Sequence, residues 1–206
     1  MKNIFVTILI LLLAIQLIAA EKAGEFKLEN IDGKQVKLSD FQKEGLVILD
    51  FWATWCVPCK NGLPKLNELQ EKYDNVNVLA INVDKPRKKS NAISLIKSNR
   101  FSFHVLFDTK KVVQKQFSIT NIPRTLIIDQ DGTIIYDHTG YQRGDEKHYE
   151  EVIVKWLEEQ ETNKQDEDTS EKQINEPDED TSEKEIDKVD EDTSKQEIEE
   201  TEFLEN

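Results

Sequence analysis

The chain has 206 residues, enough for one ordinary domain with extensions, and a formal net charge of −14. The charge is concentrated: residues 161–206 hold 20 acidic and 5 basic side chains, leaving 21 acidic against 22 basic in the first 160. The part able to fold is therefore nearly neutral, and no basic stripe marks it for nucleic acid.

Residues 1–20 begin Met1-Lys2-Asn3, run apolar from Ile4 to Ile15 except at Thr7, break at Gln16 and resume from Leu17 to Ala20. This reads as a signal peptide cleaved before Glu21, with an uncleaved N-terminal anchor as the competing reading. The run falls short of the ~20 apolar residues that span a bilayer comfortably, which favours cleavage. Either way the expected location is extracytoplasmic, in the periplasm or cell envelope.

A domain is expected over residues 21–160. Glu25–Leu28 and Gln35–Leu38 flank Asn30-Ile31-Asp32-Gly33, the pattern of an N-terminal hairpin turned at Asp-Gly. Ser39-Asp40-Phe41-Gln42 is read as a capping box opening a short helix that Gly45 stops. Leu46 to Trp52 reads as a buried strand, interrupted by one carboxylate, Asp50. Trp55-Cys56-Val57-Pro58-Cys59 follows and holds the only two cysteines. Leu63, Leu66 and Tyr73 keep helical spacing after it, and Pro64 is expected to kink that helix.

Val76–Val83 reads as a strand, Arg87–Asn99 as a helix, Val105–Phe107 as a strand and Lys110–Phe117 as a short helix. Asn121-Ile122-Pro123-Arg124-Thr125 precedes the strand Leu126–Ile128, and Gln130-Asp131-Gly132 turns the chain into an antiparallel partner, Thr133–Asp137. Asp145 is expected to cap a last helix whose apolar face is Tyr149, Val152, Ile153, Trp156 and Leu157. This order implies an α/β domain with a mixed central sheet and helices on both faces.

In the last segment, 161–206, Asp-Glu-Asp-Thr-Ser recurs at Asp166, Asp178 and Asp190, a 12-residue period with few apolar residues. Such a composition predicts a disordered acidic tail, a solvated spacer. The repeat lacks the Gly and Glu that a calcium loop needs at its sixth and twelfth positions.

A Cys-x-x-Cys is a redox dithiol or half of a metal site. A structural zinc site needs a second closely spaced pair, and His104, His138 and His148 are scattered, so they are read as surface or packing residues and no metal is expected. At a helix start, unsatisfied N–H groups and the helix dipole favour a thiolate, so Cys56 is assigned as the exposed nucleophile and Cys59 as the resolving thiol behind it. Pro58 suits the first helical turn, and Val57 offers neither donor nor charge, so the thiolate depends on backbone N–H groups and Lys60. Asp50, buried in an apolar strand, would have the raised pKa of a proton acceptor; facing water at a strand end, it would not. Trp52 and Trp55 are read as packing residues, with Trp55 also a candidate for the substrate surface.

The run Asp50-Phe51-Trp52-Ala53-Thr54-Trp55-Cys56-Val57-Pro58-Cys59-Lys60, followed by Pro64, resembles the thioredoxin superfamily over roughly residues 25–160. With the N-terminal hairpin and the inserted helix–strand, it looks most like the TlpA/ResA-like extracytoplasmic thiol-disulfide oxidoreductases. The resemblance implies a thioredoxin-like fold that reduces protein disulfides through the Cys56–Cys59 pair with no other cofactor. It implies a monomer with an upstream redox partner, membrane-bound in one version, and tasks such as cytochrome c maturation or repair of oxidised cysteines. By resemblance, Asp50 deprotonates Cys59, Ile122–Pro123 carries a cis proline facing the dithiol, and Trp55, Pro58, Ile122 and Pro123 line the substrate surface. Two positions depart from the relatives: Gly62 stands where Glu is common, and Asp50 where many have Asn. The alternatives are a thiol peroxidase, whose Pro-x-x-x-Thr-x-x-Cys context is absent, a metal-delivery protein, which would use Cys-x-x-x-Cys, and an interaction module acting through the tail.

Overall fold

The structure, a computed structural model, describes residues 21–174, with side chains to residue 163. The segment 1–20 and the tail beyond 174 lie outside the described residues, and with them the signal-peptide reading and most of the acidic repeats. A hairpin comes first, β1 (Lys27–Asn30) and β2 (Gln35–Lys37). Asn30 Oδ1 accepts from the N–H groups of Asp32 and Lys34 at 3.0 and 2.9 Å, and Gly33 takes a φ of +81° that a side chain would disfavour. Helix α1 (Leu38–Gln42) starts one residue before the expected Ser39. The Lys37 N–H donates to the Asp40 carboxylate at 2.9 Å, so Asp40 rather than Gln42 closes the helix start.

The centre is β3 (Leu46–Trp52), α2 (Val57–Lys72) and β4 (Val76–Asn82), a parallel strand–helix–strand unit. Helix α2 runs continuously past Pro64, which has no N–H for the Lys60 carbonyl. A 3₁₀ turn (Pro86–Lys88) leads into α3 (Lys89–Asn99), followed by β5 (His104–Phe107) and α4 (Val112–Gln116). The hairpin β6 (Arg124–Ile128) and β7 (Ile134–Thr139) precedes α5 (Asp145–Ile174). One mixed sheet results, in the order β2-β1-β5-β4-β3-β6-β7. The inserted α3–β5 joins the N-terminal hairpin to β4, as the expected thioredoxin-like architecture requires.

Two details of α5 differ from expectation. Asp145 is the first helical residue rather than the cap, and its carboxylate accepts from the Gln142 N–H at 2.7 Å. The helix also continues past residue 160 to Ile174. Its later turns are rich in Glu, Gln and Lys and free of Pro and Gly, so helix propensity is uninterrupted there although the apolar face ends at Leu157.

Every residue of β3 is buried. Burying each of its Leu, Ile and Val side chains contributes about 1.5–3 kcal/mol. Neighbouring side chains on a strand point to opposite faces. Phe51 meets Phe117 at a ring distance of 6.1 Å on one face. Asp50 meets Thr125 on the other, and Thr125 in turn reaches Tyr149 of α5. Layers on both faces therefore enclose β3, and its C-terminal end supplies the site.

Candidate active site

After Trp52 the chain turns through Ala53 to Trp55, where the Cys56 N–H donates to the Ala53 carbonyl at 3.1 Å, and enters α2 with Cys56 as its N-cap. The Cys56 sulfur accepts from the Cys59 N–H at 3.2 Å, so it occupies the position where a helix N-terminus offers free donors. Cys56 and Cys59 are joined by a disulfide. Cys56 is 4% exposed and Cys59 1%. The expectation of an exposed first cysteine is therefore corrected: both are covered in the oxidised state, and Cys56 is only slightly the more accessible. Exposed apolar surface lies beside it instead. Trp55 is 69% exposed and Val57 61%, while Pro58 is also at the surface. Trp55 is thus not a packing residue, whereas Trp52 is fully buried.

The Ile122–Pro123 peptide bond is cis. Register places Phe51 opposite Arg124 and Asp50 opposite Thr125. One step further puts Pro123 across from Trp52, at the end of β3 from which the turn leads to Cys56. Pro123 is buried and Ile122 half-buried beside it.

Asp50 is 3% exposed, which removes the water-facing alternative. Burial pushes its carboxyl up to about 7 from an ordinary 3.8, against the opposing pull of one hydrogen bond from Thr125 Oγ1 at 2.9 Å. Thr125 lies within 3.4 Å of the Tyr149 hydroxyl, whose ionisation burial pushes far up. A carboxyl poised near neutrality can take a proton at ordinary pH, the property required of a base for Cys59.

Three further residues organise the site and escape a reading of motifs. Asp84 is 2% exposed and accepts from Thr54 N–H at 2.8 Å, Thr54 Oγ1 at 3.2 Å and Asn82 Nδ2 at 3.0 Å. It thereby ties the end of β4 to the turn that carries Trp55 and Cys56. Tyr141 lies on Gly62 of α2: a Cβ there would come within 3.2 Å of the Tyr141 ring. The Tyr141 hydroxyl donates to Glu146 at 2.9 Å, which fixes the loop before α5. Gly62 is therefore the gap that an aromatic ring fills. Thr125 is the third. The signal for Asp84 and Thr125 was a polar residue ending or beginning an apolar strand, but only pairing across strands shows what each touches.

The histidines lie apart. His104 packs on Phe41, and His138 and His148 each approach a carboxylate at 3.3 Å. Among the described residues, no group of three His, Cys, Asp or Glu side chains is placed to hold a metal ion, and no helix is long and apolar enough to cross a membrane.

The AhpC/TSA family model matches residues 19–137. The chain is 32% identical over 122 residues to the thiol-disulfide oxidoreductase ResA of Bacillus thuringiensis subsp. konkukian, spanning 59% of this chain and 70% of that protein. It is 33% identical to the Geobacillus kaustophilus protein of the same name over 137 residues, 63% of this chain and 75% of that one. A solved structure from Chlorobium tepidum, described as a thiol:disulfide interchange protein DsbE, superposes with a TM-score of 0.61 at 33% identity, covering 66% of this chain and 94% of that one. The buried strand, the helix-capping Cys56 and these relatives agree: the chain belongs to the AhpC/TSA family, as a thioredoxin-fold thiol-disulfide oxidoreductase with Cys56 and Cys59 as its redox pair.

Proposed function

We propose that the protein reduces disulfides of protein substrates outside the cytoplasm. The carrying observation is the Cys56 sulfur at the start of α2, bonded by the Cys59 N–H and flanked by the exposed Trp55 and Val57. In the reduced protein the Cys56 thiolate attacks one sulfur of a substrate disulfide; the other substrate sulfur leaves as thiolate and takes a proton. Cys59 gives its proton to Asp50, directly or through one water, and its thiolate attacks Cys56 Sγ. The second substrate thiolate leaves, and the Cys56–Cys59 disulfide of this structure is the product. Two electrons pass to the substrate, so an upstream dithiol donor must restore the pair. Trp55, Val57 and Pro58 give the substrate an apolar surface, with Ile122 and Pro123 on the facing segment.

The apolar run before Glu21 supports export by signal peptide or anchor, and the ResA-like resemblance supports reduction, with cytochrome c maturation as one such task. The thiolate has a backbone donor and no cation in the dipeptide between the cysteines, which favours a reducing couple over a strongly oxidising one.

Cysteine variants test the roles. Cys56→Ser abolishes reduction of insulin disulfides, and Cys59→Ser accumulates mixed disulfides at Cys56, seen by intact mass. Full turnover by Cys59→Ser, or alkylation of Cys59 before Cys56 in the reduced protein, would contradict the assignment. A peroxide-consumption arm separates the reductase from a thiol peroxidase.

A further inference from the structure

We propose that Thr125 is a positioning residue for the proton step: its hydroxyl, backed by that of Tyr149, orients the Asp50 carboxyl and bonds it both before and after it takes the proton of Cys59. The inference rests on the reading of Asp50 as proton acceptor and adds how that acceptor is held. Register puts Thr125 directly opposite Asp50 across the β3–β6 pair, on the same face of the sheet. Thr125 is 1% exposed, Tyr149 1% and Asp50 3%, so all three lie away from bulk water. Thr125 Oγ1 stands 2.9 Å from Asp50 Oδ1 and 3.4 Å from the Tyr149 hydroxyl.

A hydroxyl has one proton to donate and two lone pairs to accept with. With Asp50 ionised, Thr125 donates to the carboxylate and accepts from Tyr149. With Asp50 protonated, the carboxyl donates to Thr125, and Thr125 donates to Tyr149. The chain of hydrogen bonds reverses direction without any heavy atom moving, so neither state of Asp50 is left unbonded in the core. A backbone N–H or a lysine at that position could serve only the ionised state.

The surroundings contain few other groups to do this. On β4, Asp50 is opposite Ala80, which has no polar side chain. On β7, His138 pairs with Thr125 in register, and Tyr136 meets Tyr149 at a ring distance of 5.6 Å. On α5, Asp145 is a charged group acting on both tyrosines, and Glu151 acts on Tyr136. On α2 the one buried titratable residue is Cys59, held in the disulfide with Cys56 of the N-cap, while Lys60, Glu68, Glu71 and Lys72 are exposed and Lys65 is half-buried. Thr125 alone of these makes a hydrogen bond to Asp50 among the described residues.

The test is the titration of the Asp50 carboxyl in the full-length oxidised protein, followed by carbon-13 NMR, with the pH dependence of mixed-disulfide resolution beside it. Thr125→Val removes a hydrogen bond to a charged group, so the midpoint rises by about one pH unit or more, and resolution below that midpoint slows about tenfold. Thr125→Ser, which keeps the hydroxyl, stays near the wild type in both readouts. Tyr149→Phe shifts the midpoint in the same direction by less. In an Asp50→Asn background, Thr125→Val leaves the pH profile of resolution unchanged. A wild-type midpoint near neutrality that Thr125→Val and Tyr149→Phe both leave in place overturns this proposal alone. A wild-type midpoint in the ordinary carboxylate range overturns the Asp50 reading and this proposal with it. Equal loss in the Ser and Val variants overturns the hydroxyl's role by showing that only side-chain packing matters.

Discussion

Asp50 and Asp84 are both buried carboxylates near the same end of the sheet, and their surroundings differ in one respect. Asp84 receives three donors, from Thr54 and Asn82, whereas Asp50 receives one, from Thr125. Asp108, 1% exposed, resembles Asp84, taking the N–H groups of Val112 and Gln114 at 2.8 and 2.7 Å. A buried carboxylate surrounded by donors is a structural tie: it satisfies backbone groups that would otherwise be orphaned. A buried carboxylate with one reversible partner keeps its proton affinity high and remains available for chemistry. The three carboxylates share burial and differ in the number and kind of donors they receive.

Asp84→Ala leaves the Thr54 N–H and the Asn82 amide without their acceptor, at about 1–3 kcal/mol for each buried group. The expected loss is therefore about 3–5 kcal/mol, a fall in Tm of roughly 10 °C. A loss under 1 kcal/mol in denaturant melts would show that Asp84 is not a tie.

Asp50→Asn should act in the opposite direction. The folded-state pKa is raised, so the folded protein binds a proton that the unfolded chain has released between about pH 4 and pH 7. Stability from this group is present at low pH and lost as pH rises through that window. Asp50→Asn should stabilise the oxidised protein by about 2–4 kcal/mol at pH 8 and have little effect at pH 4. Equal effects at both pH values would show that Asp50 does not titrate in this window.

Gly62→Glu gives a smaller, pH-insensitive effect. The new side chain must displace the Tyr141 ring, and overpacking of that kind costs about 1–3 kcal/mol. Thr54→Val, which removes one of the three donors to Asp84 and keeps the backbone bond, should cost about 1 kcal/mol.

Much of this arrangement is legible in the sequence where local pattern decides. The run Leu46–Trp52 is one strand with the predicted limits, and Cys56 caps the following helix, because an unbroken apolar run and a Cys-x-x-Cys before helical spacing leave few alternatives. Asp50 stands out as the one charge in that run, and its burial follows from its neighbours. The partners of Asp50, Asp84 and Gly62 are not legible in the same way, because each is set by strand register or by a loop closing over a helix from 30 to 80 positions away. Trp55 shows the reverse error: a large aromatic is usually buried, yet here the turn pinned by Asp84 leaves it outside. The end of α5 at Ile174 is not legible from its apolar face either, because amphipathic spacing marks where a helix packs, not where its backbone stops.

Proton transfer from Cys59 to Asp50 is read most directly from the rate at which the Cys56 mixed disulfide is resolved, followed from pH 5 to pH 9 in the wild type and in Asp50→Asn. The wild-type rate should rise through a midpoint near pH 7. Asp50→Asn should resolve about 10²–10⁴-fold more slowly above that midpoint without this inflection, while the initial attack by Cys56 keeps its wild-type rate. Resolution by Asp50→Asn at the wild-type rate across the whole range, or slowing of attack and resolution alike, would contradict it.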